Sequence, residues 1–422
     1  MKPDMVTIKK LAKKIISYSI EGEEKVYRLK NTPFRVKKQY TRFFHEELER
    51  LPVVPGKVVF DNYMGKGYGC NGKYVTEALL KTGLNLDLVW TVQDPKGLRE
   101  QFPKEVRLVE YGSAEAMREY ATAGVWALNY QMVHYLNKGL LKKPGQVYIQ
   151  MWHGSFGIKK IENDCGNLTC DANWTTLAKQ NSQYTDYWIS NSAFETGIYR
   201  RAFWDVKNVL LYGHPRNDIF FHGGMQRARG LVERFIGKTG YRLLLYVPTF
   251  RDGRMLWEQE LDYRQLKQGL EQRFGGSWLI LMRLHPRMRE YRQMLPQEEF
   301  CVDVTGYPDI QELLAAADAA VTDYSSAVFD FLLTGRPAFV YAPDYEDYKN
   351  LRGLYYPLEQ TPFSVAADNR SLAKNIASFD ELVYKERVAK FLAEKGSAEE
   401  GTAASRVAEL IVSCIEKNRK QG

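Results

Sequence analysis

The chain has 422 residues, 45% of them hydrophobic and 13% aromatic, with a net charge of +8. It is too long for one compact core and too apolar for a disordered chain, so two globular domains of about 200 residues are expected. No run of 18 apolar residues marks a membrane-spanning helix, residues 1–4 do not open a secretory signal, and the five scattered cysteines (Cys70, Cys165, Cys170, Cys301, Cys414) fit reduced thiols rather than a disulfide framework or a zinc site.

The charge is uneven: residues 1–50 hold 13 Lys and Arg against 7 Asp and Glu. Lys9, Lys10, Lys13 and Lys14 alternate with Val6, Ile8, Leu11, Ile15 and Ile16. This is the pattern of a basic amphipathic helix that can lie on an anionic membrane, each cation contributing on the order of 1 kcal/mol there. A helix packed on its own domain, with its lysines in water, has the same pattern. Residues 1–55 form this N-terminal segment. No zinc-finger or RNA-recognition signature accompanies the charge, so nucleic acid is not an expected partner.

From residue 57 onward, short apolar runs alternate with helical patterns. Strands are expected at 57–60, 86–92, 106–109, 125–128, 147–151, 187–190 and 209–211, and helices at 73–81, 114–121 and 193–203. The pattern restarts after Gly223-Gly224, with strands at 243–247, 278–282, 319–322 and 338–341 and helices at 310–317 and 328–333. Residues 372–420 are helical and charged. This alternation predicts an α/β fold of two doubly wound, Rossmann-like domains, residues 56–222 and 223–422, the second carrying the helical tail. Two such domains leave a cleft at the carboxyl ends of their strands, where ligands bind.

Polar motifs follow the strand ends. Thr322-Asp323-Tyr324-Ser325-Ser326 stands between an apolar run and a helix closed by Gly335 and Pro337. The first amides of that helix and two hydroxyls can make a phosphate socket, although N-capping alone also explains the residues. His153, in Trp152-His153-Gly154-Ser155, is a candidate base, because an imidazole of ordinary pKa accepts a proton near neutrality. Arg283 and His285, in Arg283-Leu284-His285-Pro286, share strand parity and suit a phosphate clamp. Thr249 and Arg251 can reach a phosphate or an acceptor. Thr305 and Gly306 precede a helix whose Asp309 and Glu312 have capping-box spacing; its amides are expected to face the nucleotide. Gly213-His214-Pro215-Arg216-Asn217-Asp218 reads as a domain joint, with Arg216 paired to Asp218 or another acid. The Gly65-Lys66-Gly67 loop matches neither a P-loop nor a dinucleotide fingerprint and is assigned to the acceptor side, with Gly154 and Ser155. No Asp-x-Asp pair follows a strand to hold Mg²⁺. No metal or cofactor is therefore expected, and Arg, His, hydroxyls and helix ends must meet any diphosphate charge.

Taken together, these segments resemble the CDP-glycerol glycerophosphotransferase family. The residues that carry the likeness are Trp152-His153-Gly154, Gly213 to Asp218, Pro248-Thr249-Phe250-Arg251, Arg283 to Pro286 and Thr322 to Ser326, extended by Asp330-Phe331, Arg336-Pro337, Ala342-Pro343-Asp344 and Arg352-Gly353. The resemblance implies a GT-B arrangement. It also implies transfer of a polyol phosphate from a CDP-activated donor to a hydroxyl of a lipid-linked or polymer acceptor. CMP would be released, in teichoic acid or capsule synthesis at the cytoplasmic face of the cell membrane. It gives His153 the role of general base and His285 that of diphosphate ligand, with Arg283, Asp323, Ser325 and Ser326 completing the donor site. The chain departs from the family at Ser155 to Lys160, at Gly213-His214 and at Pro362-Phe363, which leaves glycerol and ribitol as alternative polyols. A GT-B glycosyltransferase using a nucleotide sugar and a non-catalytic nucleotide- or polymer-binding protein are the competing readings.

Overall fold

The structure, a computed structural model, describes residues 46–168, 172–249, 261–285, 292 and 295–421. The basic pattern around Lys9 to Lys14 and the candidate Arg251 lie outside the described residues.

The first sheet has seven strands: β1 (Val54–Asp61), β2 (Asp87–Val92), β3 (Arg107–Glu110), β4 (Ala123–Leu128), β5 (Val147–Gln150), β6 (Tyr187–Ser190) and β7 (Asn208–Leu211). Their spatial order is β3-β2-β1-β4-β5-β6-β7, and every neighbouring pair is parallel. The second sheet comprises β8 (Arg242–Val247), β9 (Trp278–Met282), β10 (Cys301–Asp303), β11 (Ala319–Thr322), β12 (Ala338–Tyr341) and β13 (Ser364–Ala366). It is also parallel throughout, in the order β10-β9-β8-β11-β12-β13. The central strands are apolar along nearly their whole length because helices cover both faces of a parallel sheet; β4, β9, β11 and β12 are buried at every residue.

Each sheet reverses its strand order once, between β1 and β4 and between β8 and β11. A crevice opens at such a reversal because the connections on either side depart in opposite directions. Both crevices are stitched by a polar side chain from one strand end to the backbone of the other. Asn129, just past β4, accepts from the amide of Tyr63, past β1, at 3.2 Å. Asp323, just past β11, accepts from the amide of Thr249, past β8, at 2.9 and 3.0 Å.

The loop past β1 is tightly wound. Tyr63, Met64, Gly65 and Gly67 all have positive φ, and Asp61 caps the turn by accepting from Gly65 N at 2.9 Å. A Cβ on Gly65 would lie 2.8 Å from Tyr111 Cβ and 2.9 Å from Gln93 N. Gly65→Ala is therefore expected to cost roughly 1–3 kcal/mol through overpacking and strain, read as a lower midpoint of urea unfolding.

Three segments tie the halves together. The chain after His153 crosses over: Phe156 and Ile158 are buried in the second core, Ile158 O accepts from Tyr355 N at 2.7 Å, and Phe156 O accepts from the Tyr356 hydroxyl. The helix Ala403–Gln421 crosses the other way. Its Val407, Ala408, Ile411 and Ile415 are buried in the first core, so the last helix of the tail assigned from sequence to the second domain packs on the first, while Leu372, Ile376, Val388 and Phe391 of the same tail stay in the second core. The third tie is a set of polar side chains, described below. Among the described residues no helix is long and apolar enough to cross a membrane, and Cys70, Cys301 and Cys414 are free thiols.

Candidate functional site

The site at the first crevice is built around His153. Strand β5 ends at Gln150, and the chain turns sharply through Trp152, whose φ is +49°. A tryptophan in the left-handed region is costly, of order 1–3 kcal/mol, and persists only where surrounding bonds hold it. Here Gln150 Oε1 accepts from Trp152 N at 2.9 Å. Asn71 Nδ2 donates to Met151 O and Trp152 O, both at 3.0 Å. The Arg216 guanidinium donates to Gly154 O. The imidazole of His153 meets three rings, with centroids at 4.2 Å for Trp152, 5.1 Å for Tyr63 and 5.5 Å for Tyr130.

Nδ1 of His153 lies 2.7 Å from Asn129 O. A carbonyl only accepts, so Nδ1 carries the proton and Nε2 carries the lone pair. Burial pushes the pKa of His153 down to about 4, despite the opposing bond to Asn129. The ordinary value expected from sequence therefore does not hold. The ring is neutral throughout the physiological range because its cationic form would lose hydration among the aromatic rings.

At the second crevice, Thr249 and Asp323 are engaged with each other: besides the amide bonds, Thr249 Oγ1 donates to Asp323 Oδ1 at 2.5 Å. Asp323 also accepts from Tyr324 N. Its carboxylate thus shapes the crevice, although sequence reasoning cast it as a donor ligand. Ser325 and Ser326 are half-buried at the start of the short helix Ala327–Phe331. Ser325 Oγ accepts from Ala327 N at 3.3 Å, and Ser326 faces Gly157 of the first half, where a glycine Cβ would meet its own Cβ at 3.3 Å. His285 is exposed just past β9. Arg283 turns Nη1 onto Tyr307 O at 2.7 Å and Val304 O at 3.4 Å. It thereby holds the turn that carries Thr305 and Gly306, a supporting role beside the clamp expected of it. Thr305 Oγ1 accepts from Leu284 N at 3.1 Å, while Gly306 is exposed with open space around it.

Two expectations are corrected here. The helix Ile310–Ala316, expected to aim its amides at a nucleotide, is capped by Asp309 and faces the first domain. Asp309 accepts from Lys73 Nζ at 3.2 Å and from the Tyr74 hydroxyl at 2.9 Å. Glu312 accepts from Lys73 and from Tyr307 at 2.5 Å, so it does not close a capping box. This helix start is a joint between the domains. Ser155, placed on the acceptor side with Gly154, is buried and accepts from Asn191 Nδ2 at 2.8 Å; Gly154 O is taken by Arg216. Of the acceptor-side candidates, Lys66 is exposed on the wound loop beside Gly65, the loop whose Tyr63 meets the His153 ring.

The residues after β7 form the polar joint. Arg216 pairs with Asp330, with Nε to Oδ2 at 2.9 Å and both side chains about 5% exposed or less. Asp218 is not its partner; it caps the C-terminal helix, accepting from Ala403 N at 3.1 Å and Ala404 N at 2.8 Å. Asn217 donates to Asp330 at 3.2 Å and to Glu399 at 2.7 Å. His214 Nε2 lies 2.9 Å from the buried Glu195. Asn71, Asn129 and Glu399 were not singled out from sequence. Asn71 and Asn129 are single amides with no motif signal, and Glu399 lies in a segment read only as charged helix.

Burial raises the pKa of Glu399 to about 8, although Asn217 and Asn191 donate to it. The folded protein therefore keeps a proton that the unfolded chain releases near pH 4.5. The stability due to this group is present at low pH and lost as pH rises from about 4.5 to about 8. Asp61, raised to about 7 by burial, acts with the same sign. Glu399→Gln is expected to flatten part of this decline in urea-unfolding curves taken between pH 5 and pH 8, leaving the share due to Asp61.

Among the described residues, no group of three or more His, Cys, Asp or Glu is placed to hold a metal ion. Two parallel α/β domains, joined by polar side chains and each with a crevice at its strand-order reversal, define a GT-B-like protein. The chain belongs to the CDP-Glycerol:Poly(glycerophosphate) glycerophosphotransferase family, whose model matches residues 43–413. It is 31% identical over 376 residues to the teichoic acid poly(glycerol phosphate) polymerase of Staphylococcus epidermidis, covering 85% of this chain and 51% of the relative. This chain thus spans about half the length of that relative. It is 29% identical to the teichoic acid glycerol-phosphate transferase of Staphylococcus aureus, covering 91% of this chain and 99% of that one. A solved structure of the wall teichoic acid polymerase TagF superposes with a TM-score of 0.78 at 28% identity, covering 90% of this chain and 94% of that one.

Proposed function

We propose that this protein transfers glycerol phosphate from CDP-glycerol to a hydroxyl of a lipid-linked or polymer acceptor, releasing CMP, in teichoic acid biosynthesis. The observation that carries this reading is the locked tautomer of His153, which presents an unprotonated Nε2 at a strand end in the family's Trp-His-Gly turn. The names of the two glycerol-phosphate relatives support the choice of polyol.

In this reading the acceptor oxygen attacks the β-phosphorus of the donor and its proton passes to Nε2 of His153. The bond from that phosphorus to the bridging oxygen breaks, and CMP leaves with the electron pair. His285, Ser325 and Ser326 meet the diphosphate from the second crevice, supported by the Arg283, Thr305 and Gly306 turn. Arg251, two positions beyond Thr249 in the sequence, is assigned to the same diphosphate. Charge developing on the phosphoryl oxygens is met by these fixed donors, which need no reorganisation during the step. No resident metal or cofactor is part of the proposal. A lipid-linked acceptor places the reaction at the cytoplasmic face of an anionic membrane, and the basic pattern of residues 1–55 suits that surface.

The test is to incubate the purified protein with CDP-glycerol, CDP-ribitol and several UDP-sugars, together with a panel of lipid-linked acceptors, and to identify the nucleotide released. CMP from CDP-glycerol is expected. CMP from CDP-ribitol alone would change the polyol. UDP release would make the protein a glycosyltransferase. Saturable CDP-polyol binding without turnover on any acceptor would make it a binding protein.

A further inference from the structure

The turn that presents His153 is held from outside its own strand. Asn71 is fully buried and makes three hydrogen bonds through its carboxamide. Its Nδ2 donates to Met151 O and Trp152 O, and its Oδ1 accepts from Arg216 N at 3.1 Å. Only a carboxamide of this length can give two donors to one segment and an acceptor to another from a fixed backbone. Arg216 then reaches forward to Gly154 O. Three carbonyls of the turn, those of Met151, Trp152 and Gly154 on either side of His153, are thus tied by two side chains from elsewhere. The bonds restrain a backbone whose Trp152 sits at positive φ.

Arg216 is itself anchored across the joint. Asp330 belongs to the helix that begins just after Ser325 and Ser326, and it accepts from Arg216 Nε and Nη2 at 2.9 and 3.3 Å. Gln311 of the second domain donates both to Asp330, at 3.2 Å, and to Asn217, at 2.7 Å. The path from the helix beside the proposed donor site to the proposed base is therefore Asp330 to Arg216, then Arg216 to Asn71 and Gly154.

We infer that Asn71 and Arg216 are positioning residues for His153, and that through Asp330 the second domain sets the orientation of the turn that bears it. The inference rests on the reading of His153 as the base and adds to it the groups that aim the base. Neither Asn71 nor Arg216 need touch substrate; each acts on the imidazole through the backbone of its turn. Misplacing a catalytic group by about 1 Å can cost on the order of 10² in rate, so the effect should fall on kcat.

The experiment combines kinetics with ¹⁵N-histidine NMR on the full chain, the His153 signals being assigned from the His153→Gln spectrum. Asn71→Ala is expected to lower kcat by roughly 10- to 100-fold while KM for CDP-glycerol changes by less than about threefold. The nitrogen shifts of His153 should move away from the single tautomer held by Asn129 O. Asp330→Asn should move the same resonances although it lies in the other domain, and Asn71→Ser serves if Asn71→Ala does not fold. Unchanged His153 resonances in the Asn71 variants would overturn the positioning role whatever the activity. So would a rise in KM that accounts for the whole loss. Full activity in His153→Gln would instead remove the base reading, and the resonances would still report whether Asn71 and Asp330 orient the ring.

Discussion

Replacing His153 by alanine is expected to lower turnover by at least about 10², the low end for a lost general base, while leaving CMP binding nearly intact. The separation follows from geometry. His153 lies past β5 at the first crevice, whereas His285, Thr305, Ser325 and Ser326 lie past the strands of the second sheet. Deleting the imidazole removes the proton acceptor without touching the groups proposed to hold the nucleotide. Calorimetric titration with CMP checks the binding half, and CMP release from CDP-glycerol checks the turnover half. Loss of CMP binding in the variant would show that His153 belongs to the donor site. The pH profile is a second measure. With the pKa lowered to about 4 by burial, the acid limb of kcat/KM attributable to His153 should fall near pH 4, well below that of an ordinary histidine. In stability the same shift works against the folded state on acidification. The unfolded chain takes up this proton from about pH 6.5, the folded one only near 4, so the contribution present above 6.5 is lost as pH falls through that window.

Breaking the Arg216–Asp330 pair by Asp330→Ala is expected to cost about 3–5 kcal/mol, because it leaves an uncompensated guanidinium in the joint. Both side chains are almost completely buried. The lost carboxylate also accepts from Asn217 and Gln311, so three donors lose a partner at once. Arg216→Met should be milder, since the carboxylate it leaves without its cation still accepts from those two amide donors. A larger loss in Arg216→Met than in Asp330→Ala, measured by urea unfolding, would show that the joint depends on the reach of arginine to Gly154 more than on charge pairing. Lowered stability combined with normal His153 resonances would separate this structural effect from the positioning role.

Much of the architecture was legible along the chain. The apolar runs that became β4, β8, β9, β11 and β12 are short, continuous and bounded by turn residues, because parallel strands covered on both faces need apolar side chains at successive positions. The polar residues just past them mark strand ends, and His153 was found by that placement. The two outer strands β10 and β13 have three residues each. They were missed because so short an edge strand carries no period to read.

The sequence by itself determined the repeated α/β pattern, the two crevices and the residue types available at each, since all of these depend on neighbours within a few positions. Only the tertiary structure decided how those residues are used. It placed helix Ala403–Gln421 on the first core, drove Phe156 and Ile158 into the second, turned Asp309 and Glu312 onto Lys73, gave Asp330 rather than Asp218 to Arg216, and made His153 a neutral ring with a fixed tautomer. Each outcome joins groups far apart in the chain. Pattern and propensity act locally, whereas burial, charge pairing and desolvation depend on which distant surfaces meet.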